Sequence, residues 1–410
     1  MTLPVVGRVF LAKGLRAFGD GFVSLLLPVY LVELGFGPLE VGAIATATLL
    51  GSGIAALGVG HAAHRYSYRT LLLAAALLMA ATGAGFAALT DFWPLMLVAV
   101  VGTLNPSSGD VSVFLPLEHA LMSHVVADHD RTATFARYSL AGALMGALGA
   151  FAAGVPQLAQ SAFGLSARGA LQAMFIFYGA LGAACALVYR GMGRGAEAGD
   201  SGKPRVPLGP SRNIVYLLAT LFSIDAFGGG LVVQSMVALW MYGKFAITPA
   251  EAGTIFFATG LLSAVSFLVA VPVARRFGLV NTMVFTHIPA NVCLVAIPFV
   301  DDLATVVALL LVRSALSQMD VPTRSSYVMA IVLPHERPAA ASVTSVPRSL
   351  ASAASPLLAG WLLTVSPFGW PLAAAGCVKI AYDLMLLATF RNVKPPEERR
   401  AGASITGRDP

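Results

Sequence analysis

Gly37-Pro38-Leu39-Glu40-Val41-Gly42 recurs 211 positions later as Thr248-Pro249-Ala250-Glu251-Ala252-Gly253. Each copy reads as a helix start, with Gly or Thr at the cap, Pro at the first helical position and Glu at the third. The same offset pairs Ala63-His64-Arg65-Tyr66 with Ala274-Arg275-Arg276-Phe277. Pro38 to Arg65 is 27 residues, and so is Pro249 to Arg276. At ~1.5 Å per helical residue each stretch is about 40 Å long, one full crossing from headgroup to headgroup. A second pair lies further on. Asp130-Arg131 and Glu336-Arg337 each lead, at the same distance, to an Ala-Gly step, Ala153-Gly154 and Ala359-Gly360. Matches in order and at a nearly constant offset make the chain a duplication of membrane-crossing units.

Composition agrees. Of 410 residues, 57% are hydrophobic and 11% charged, against about 25% charged in soluble domains. A soluble core of this length has no use for so much apolar surface, whereas a bilayer uses all of it. Spans of about 20 apolar residues can be drawn at roughly 9–34, 39–63, 70–90, 93–117, 133–155, 167–190, 213–241, 249–274, 279–300, 303–332, 338–365 and 369–391. The stretch around 190–212 is rich in Gly, Pro and charge and reads as a linker. The expected organisation is a six-helix bundle over 1–190, a cytoplasmic linker over 191–211, a second six-helix bundle over 212–392 and a disordered cytoplasmic tail over 393–410. The first apolar stretch carries Lys13, Arg16 and Asp20 and reads as a span rather than a cleavable signal.

With the N-terminus in the cytoplasm, 19 of the 26 Lys and Arg residues fall on cytoplasmic segments and adjoining helix ends, and only Arg168 and Lys244 on the opposite face. The expectation is a cytoplasmic (inner) membrane protein with both termini and the linker in the cytoplasm. The net charge of +6 is therefore a topology signal, suited to an anionic inner leaflet and not to nucleic acid. Cys185, Cys293 and Cys377 sit in separate apolar runs and read as small packing residues.

The layout and the segment Gly60-His61-Ala62-Ala63-His64-Arg65-Tyr66-Ser67-Tyr68-Arg69 resemble the major facilitator superfamily over nearly the whole chain. The family motif at that place is Gly-x-Leu-Ala-Asp-Arg-x-Gly-Arg-Arg. Its Arg positions match here, but His64 replaces the Asp and Ser67 the second Gly, so the family's usual Asp-based charge relay does not carry over. The resemblance implies an all-α membrane protein with twelve transmembrane helices in two six-helix bundles. It also implies that spans one, four, seven and ten line a central path, and that Arg65, Arg69, Arg275 and Arg276 gate the cytoplasmic side.

Those four spans carry the residues taken as substrate- or proton-binding: Asp20, Asn105, Asp110, Asp225, Gln318, Asp320 and Arg324. An ionised group in hydrocarbon costs roughly 2.5–3.5 kcal/mol even on the lenient insertion scale, so each must face water, a partner or a substrate. Arg16–Asp20, Asp320–Arg324 and Lys379–Asp383 are each four apart and can pair on one helix face, whereas Asp110 and Asp225 have no same-helix cation nearby. Gly142, Gly146, Gly149 and Gly154 favour close packing of span five, and Pro106 and Pro322 favour local breaks that free carbonyls. Six of the seven histidines fall at or near the cytoplasmic face and read as solvated loop residues.

No His-Glu-x-x-His, Gly-x-Ser-x-Gly or paired intramembrane Asp motif stands in the chain. The expectation is a transporter rather than an enzyme, without cofactor or metal. It would act as a monomer on a small-molecule substrate with protons or another coupling ion. Because the acids on the path outnumber unpaired cations, proton-coupled efflux (antiport) of a cationic or amphipathic compound leads. The alternatives are an uptake permease for a small metabolite or metal ion, and a non-transporting sensor or scaffold.

Overall fold

The computed structural model describes residues 4–62, 65–107, 112–126, 131–192, 208–333, 336–391 and 393, and among these every regular element is helical. In chain order the helices are α1 (Val5–Glu33), α2 (Pro38–Ala62), α3 (Tyr68–Ala88), α4 (Phe92–Val101), α5 (Phe114–Val125), α6 (Arg131–Phe151), α7 (Val155–Phe163), α8 (Ala167–Arg190), α9 (Arg212–Leu231), α10 (Gln234–Phe245), α11 (Pro249–Phe277), α12 (Leu279–Ala296), α13 (Leu303–Ser317), α14 (Asp320–Ile331), α15 (Arg337–Val365) and α16 (Trp370–Phe390). Ten helices or in-line helix pairs among the described residues are long and apolar enough to cross a membrane. The broken α4–α5 segment and the more polar α15 complete a twelve-span, six-plus-six architecture.

The repeated helix starts form as their chemistry requires. At α11 the Thr248 amide donates to Glu251 Oε2 (2.7 Å) and the Glu251 amide donates back to Thr248 Oγ1 (3.2 Å), a reciprocal cap that uses two orphan donors. Ser67 caps α3 and Ser166 caps α8 in the same way, accepting from Thr70 and Gly169. Glu336, half of the second repeated pair, accepts from the amides of Gly209 (2.6 Å) and Ser211 (3.3 Å) and so fastens the start of α9 to the start of α15.

Three spans are broken where the path is expected. α4 ends at Val101, and residues 102–107 around Pro106 run without helix before α5. α9 ends at Leu231 and α10 resumes at Gln234. α13 ends at Ser317 and α14 starts at Asp320, with Pro322 in its first turn. Pro lacks an N–H and crowds the preceding turn, which accounts for the break at Pro106 and the one beside Pro322.

The chain packs as two compact units. One comprises Met1–Gly202, Leu231–Leu261 and Ala353–Pro371; the other comprises Lys203–Gly230, Leu262–Ser352 and Leu372–Pro410. In the first, glycines set the helix spacing. A Cβ at Gly149 of α6 would lie 2.0 Å from the Phe18 carbonyl oxygen of α1, and one at Gly360 of α15 would lie 2.3 Å from the Pro38 carbonyl of α2. The close packing expected of span five is present, and the mirror glycine of span eleven packs equally tightly. The second unit is built on a buried cluster of α9, α12, α14 and α16 that includes Phe222, Met283, Tyr327, Tyr382 and Phe390.

Candidate functional site

Within the first unit, Arg16 of α1 is 4% exposed and Glu118 of α5 is 0% exposed. Their contact is bidentate: Arg16 Nη1 donates to Glu118 Oε1 (2.9 Å) and Nη2 to Oε2 (2.6 Å). Tyr189 of α8 and Tyr138 of α6 donate to the same carboxylate at 2.7 and 2.5 Å. Arg16 also donates to the Tyr189 hydroxyl, and its guanidinium lies 4.0 Å from the Phe114 ring centroid. Four helices therefore converge on one neutralised pair. The expected same-helix pairing of Arg16 with Asp20 does not form; both terminal guanidinium nitrogens are taken by Glu118.

That leaves Asp20 apart. It is half-buried, accepts from Tyr178 of α8 (3.4 Å) and from the Asn105 amide, and forms no ion pair among the described residues. Asn105, in the break after α4, is oriented by Ser107, whose amide (3.1 Å) and hydroxyl (2.7 Å) donate to Asn105 Oδ1. Beside it the Ser235 amide of α10 donates to the Pro106 carbonyl (3.1 Å), while the Thr103 and Ser235 hydroxyls are buried without a partner among the described residues. The helix break expected at Pro106 is present, with the Pro106 carbonyl taken by α10 and the Asp20-linked Asn105 amide next to it in the chain.

Within the second unit, Asp225 of α9 (3% exposed) takes Lys379 Nζ of α16 at 2.6 Å on Oδ1 and Arg324 Nη1 of α14 at 3.2 Å on Oδ2. Arg324 also bridges Asp320 and lies over the Phe222 ring. Asp320–Arg324 thus pairs as its spacing suggests. Lys379, however, reaches Asp225 rather than Asp383, so Asp225 is counterbalanced from two other helices. Asp383, 0% exposed, accepts instead from Asn291 Nδ2 of α12 (3.1 Å) and pairs with His287 Nδ1 (2.9 Å).

Of the residues singled out in the sequence, the structure joins Asp20 to Asn105 and Asp225 to Asp320 and Arg324. Gln318 is the C-cap that follows α13. Asp110 lies outside the described residues. Arg69 donates to the Arg190 carbonyl (2.8 Å) and so caps the last turn of α8, whereas Arg65, Arg275 and Arg276 are exposed, the last two in the last turn of α11. Sequence reasoning missed Tyr138, Tyr189, His287 and Asn291. His287 had a signal, as the one histidine deep inside an apolar span. A further regularity was also readable: Glu118 and Arg324 stand 206 apart, as do Arg131 and Arg337. The first and fourth helices of each half are joined by a buried ion pair, with its polarity reversed between the halves.

The Major Facilitator Superfamily family model matches residues 9–232 and 216–408. An uncharacterised membrane protein of Saccharomyces cerevisiae is 23% identical over 414 residues, covering 92% of each chain. Among solved structures, a mutant of the nucleoside transporter NupG superposes with a TM-score of 0.74 at 12% identity over 94% of this chain and 100% of that one. A bacterial homologue of the human lysosomal transporter Spinster gives 0.70 at 13% identity over 94% and 95%. The human organic anion transporter TETRAN gives 0.63 at 16% identity over 93% and 98%. At these identities the likeness is one of fold alone, and it agrees with the family whose model matches both halves of the chain.

Proposed function

Because the chain belongs to the Major Facilitator Superfamily, we propose that it is a secondary active transporter exporting a cationic or amphipathic small compound in exchange for protons. The bundles at 1–190 and 212–392 would alternate access to a central path, with both termini in the cytoplasm, as a monomer in the cytoplasmic membrane. Asp20 is the observation that carries the choice of substrate. Glu118, Asp225 and Asp320 are each neutralised by Arg or Lys. Asp20 is not, and it is held by neutral donors beside irregular backbone with unused hydroxyls. A half-buried carboxylate with no ion-pair partner among the described residues supports a cationic ligand as its occupant.

The test uses the purified chain in proteoliposomes with ethidium as probe. An acid lumen should drive ethidium accumulation that vanishes when the gradient is collapsed. Asp20→Asn should reduce it about tenfold or more, corresponding to a lost interaction of about 1.4 kcal/mol or greater. Gradient-driven uptake at the wild-type rate in Asp20→Asn would refute the assignment.

A second reading rests on Arg313. It lies about 15 Å along α13, near the bilayer midplane, and makes no ion pair among the described residues. A free cation at that depth favours a permease for an anionic metabolite. Inhibition of flux by small carboxylates rather than by ethidium would support that reading.

A further inference from the structure

We propose that His287 and Asp383 form a proton-binding site inside the second unit, and that Asp225 links its occupancy to α9. The argument begins with burial. Asp383 is 0% exposed and His287 4%. Among the described residues Asp383 contacts His287 Nδ1 at 2.9 Å and Asn291 Nδ2 at 3.1 Å, both neutral groups unless the imidazole carries a second proton. Lys379, one turn away on the same helix, gives its ammonium to Asp225. The charged groups nearest the pair are Asp225 from α9 and Lys379 from α16, and around Asp225 and the Tyr382 hydroxyl stand Asp320 and Arg324 from α14 and Arg348 from α15. None of the cations among them comes within ion-pair distance of Asp383.

A bare carboxylate there would be uncompensated in a dry interior, so one proton resides on the pair, as imidazolium–carboxylate or as imidazole–carboxylic acid. The imidazole's other nitrogen, Nε2, lies 4.0 Å from Asp225 Oδ1, the oxygen that also holds Lys379. A protonated ring attracts Asp225, and loss of the proton removes that attraction. Loss of the proton from the His287 ring therefore changes what holds α9, the helix that leads into the break before α10. The inference rests on the proton-coupled reading above and deepens it, since it separates the proton's seat from the solute's seat at Asp20.

The experiment is ring-13C histidine NMR of the purified full chain in detergent micelles, taken from about pH 5 to about pH 9 around the ordinary histidine range. One ring signal should disappear in His287→Gln. In the wild type that signal should move between its neutral and imidazolium positions, with the response altered in Asp383→Asn. A chain retaining only His287, with His61, His64, His119, His124, His129 and His335 changed to Gln, reads the same titration if His287→Gln does not fold. A His287 signal that stays fixed over the whole range, or that titrates identically in Asp383→Asn, overturns the proposal. Transport supplies a second readout. Asp383→Asn should keep ethidium exchange at equal pH and lose its acceleration by a pH gradient; retained acceleration also overturns it. If the wild type moves no ethidium, the efflux reading fails, and the NMR still decides the proton site.

Discussion

Glu118 offers the sharpest stability test. Its carboxylate takes two hydrogen bonds from Arg16, at 2.9 and 2.6 Å, and one each from Tyr189 and Tyr138, at 2.7 and 2.5 Å. Glu118→Ala leaves a guanidinium that is 4% exposed with only the Tyr189 oxygen and the Phe114 face to receive it. Breaking a buried pair by removing one partner costs about 3–5 kcal/mol, because the orphaned charge stays desolvated. Glu118→Gln keeps the volume but replaces an acceptor-only group by one with a single acceptor oxygen. Its loss should be smaller, about 1.5–3 kcal/mol for hydrogen bonds to a charged group. Replacing both members, Arg16→Met with Glu118→Leu, removes the charge and its counterion together and should recover most of the stability. Denaturant unfolding of the purified chain in mixed micelles measures all three. The reasoning is refuted if Glu118→Ala lies within about 0.5 kcal/mol of the wild type, or if the double variant is as unstable as the sum of its singles, the result for independent sites.

Two further outcomes follow from local geometry. Gly360→Val places a Cβ 2.3 Å from the Pro38 carbonyl and 3.0 Å from Gly42 Cα, both backbone. With Cys185, Cys293 and Cys377 replaced, a Thr46→Cys/Leu357→Cys pair, built where the Leu357 amide meets Thr46 Oγ1 at 2.8 Å, should cross-link readily. Adding Gly360→Val should abolish that cross-link, and unchanged cross-linking would count against the close approach of α2 and α15. Asp302 precedes α13, and its carboxylate accepts from the Thr305 amide and hydroxyl, both at 2.8 Å, which holds its pKa below the ordinary aspartate value. The cap is fully present above that ordinary value, about 3.9, and is lost as pH falls through the lower folded value. At neutral pH Asp302→Ala should therefore speed hydrogen exchange in the first turn of α13 and leave the rest of the helix unchanged.

The architecture was legible because it rests on local and repeated signals. Pro249 and Glu251 act as a helix start whatever surrounds them, and the Glu336-Arg337 step repeats Asp130-Arg131 in the sequence. The breaks were half legible. Pro106 announces one, but the break at Val232–Val233 has no proline or glycine at it. Ion-pair partners were not legible from spacing. Four residues apart makes a same-helix pair possible, yet Arg16 reached Glu118 and Lys379 reached Asp225. A bidentate carboxylate from a neighbouring helix satisfies a buried guanidinium better than one reached along its own helix. Nor could spacing expose the hydroxyls of Tyr138 and Tyr189, which read as apolar aromatics until the fold sets them against Glu118.

The reversed pairs narrow where transport chemistry can sit. Arg16–Glu118 and Asp225–Arg324 join the first and fourth helices of their halves, the helices that the family likeness assigns to the central path. If a cationic solute took Glu118 or Asp225 as its counterion, it would strand Arg16 or Lys379 in a dry interior, at a cost comparable to the binding gained. These pairs therefore tie helices together and are poor ligand sites. Asp20, with neutral donors alone among the described residues, can accept a cation and strand nothing, and the His287–Asp383 pair offers a second, separate place for the exchanged proton. Separate seats for solute and proton let each be filled without competition for one carboxylate. Exchange then depends on how the α9 end of Asp225 responds to His287. On that logic Asp20→Asn should weaken ethidium flux with and without a pH gradient, whereas Asp383→Asn should affect only the gradient-driven part. A variant of Asp20 that lost gradient drive alone would place the proton and the solute on the same carboxylate and overturn the separation.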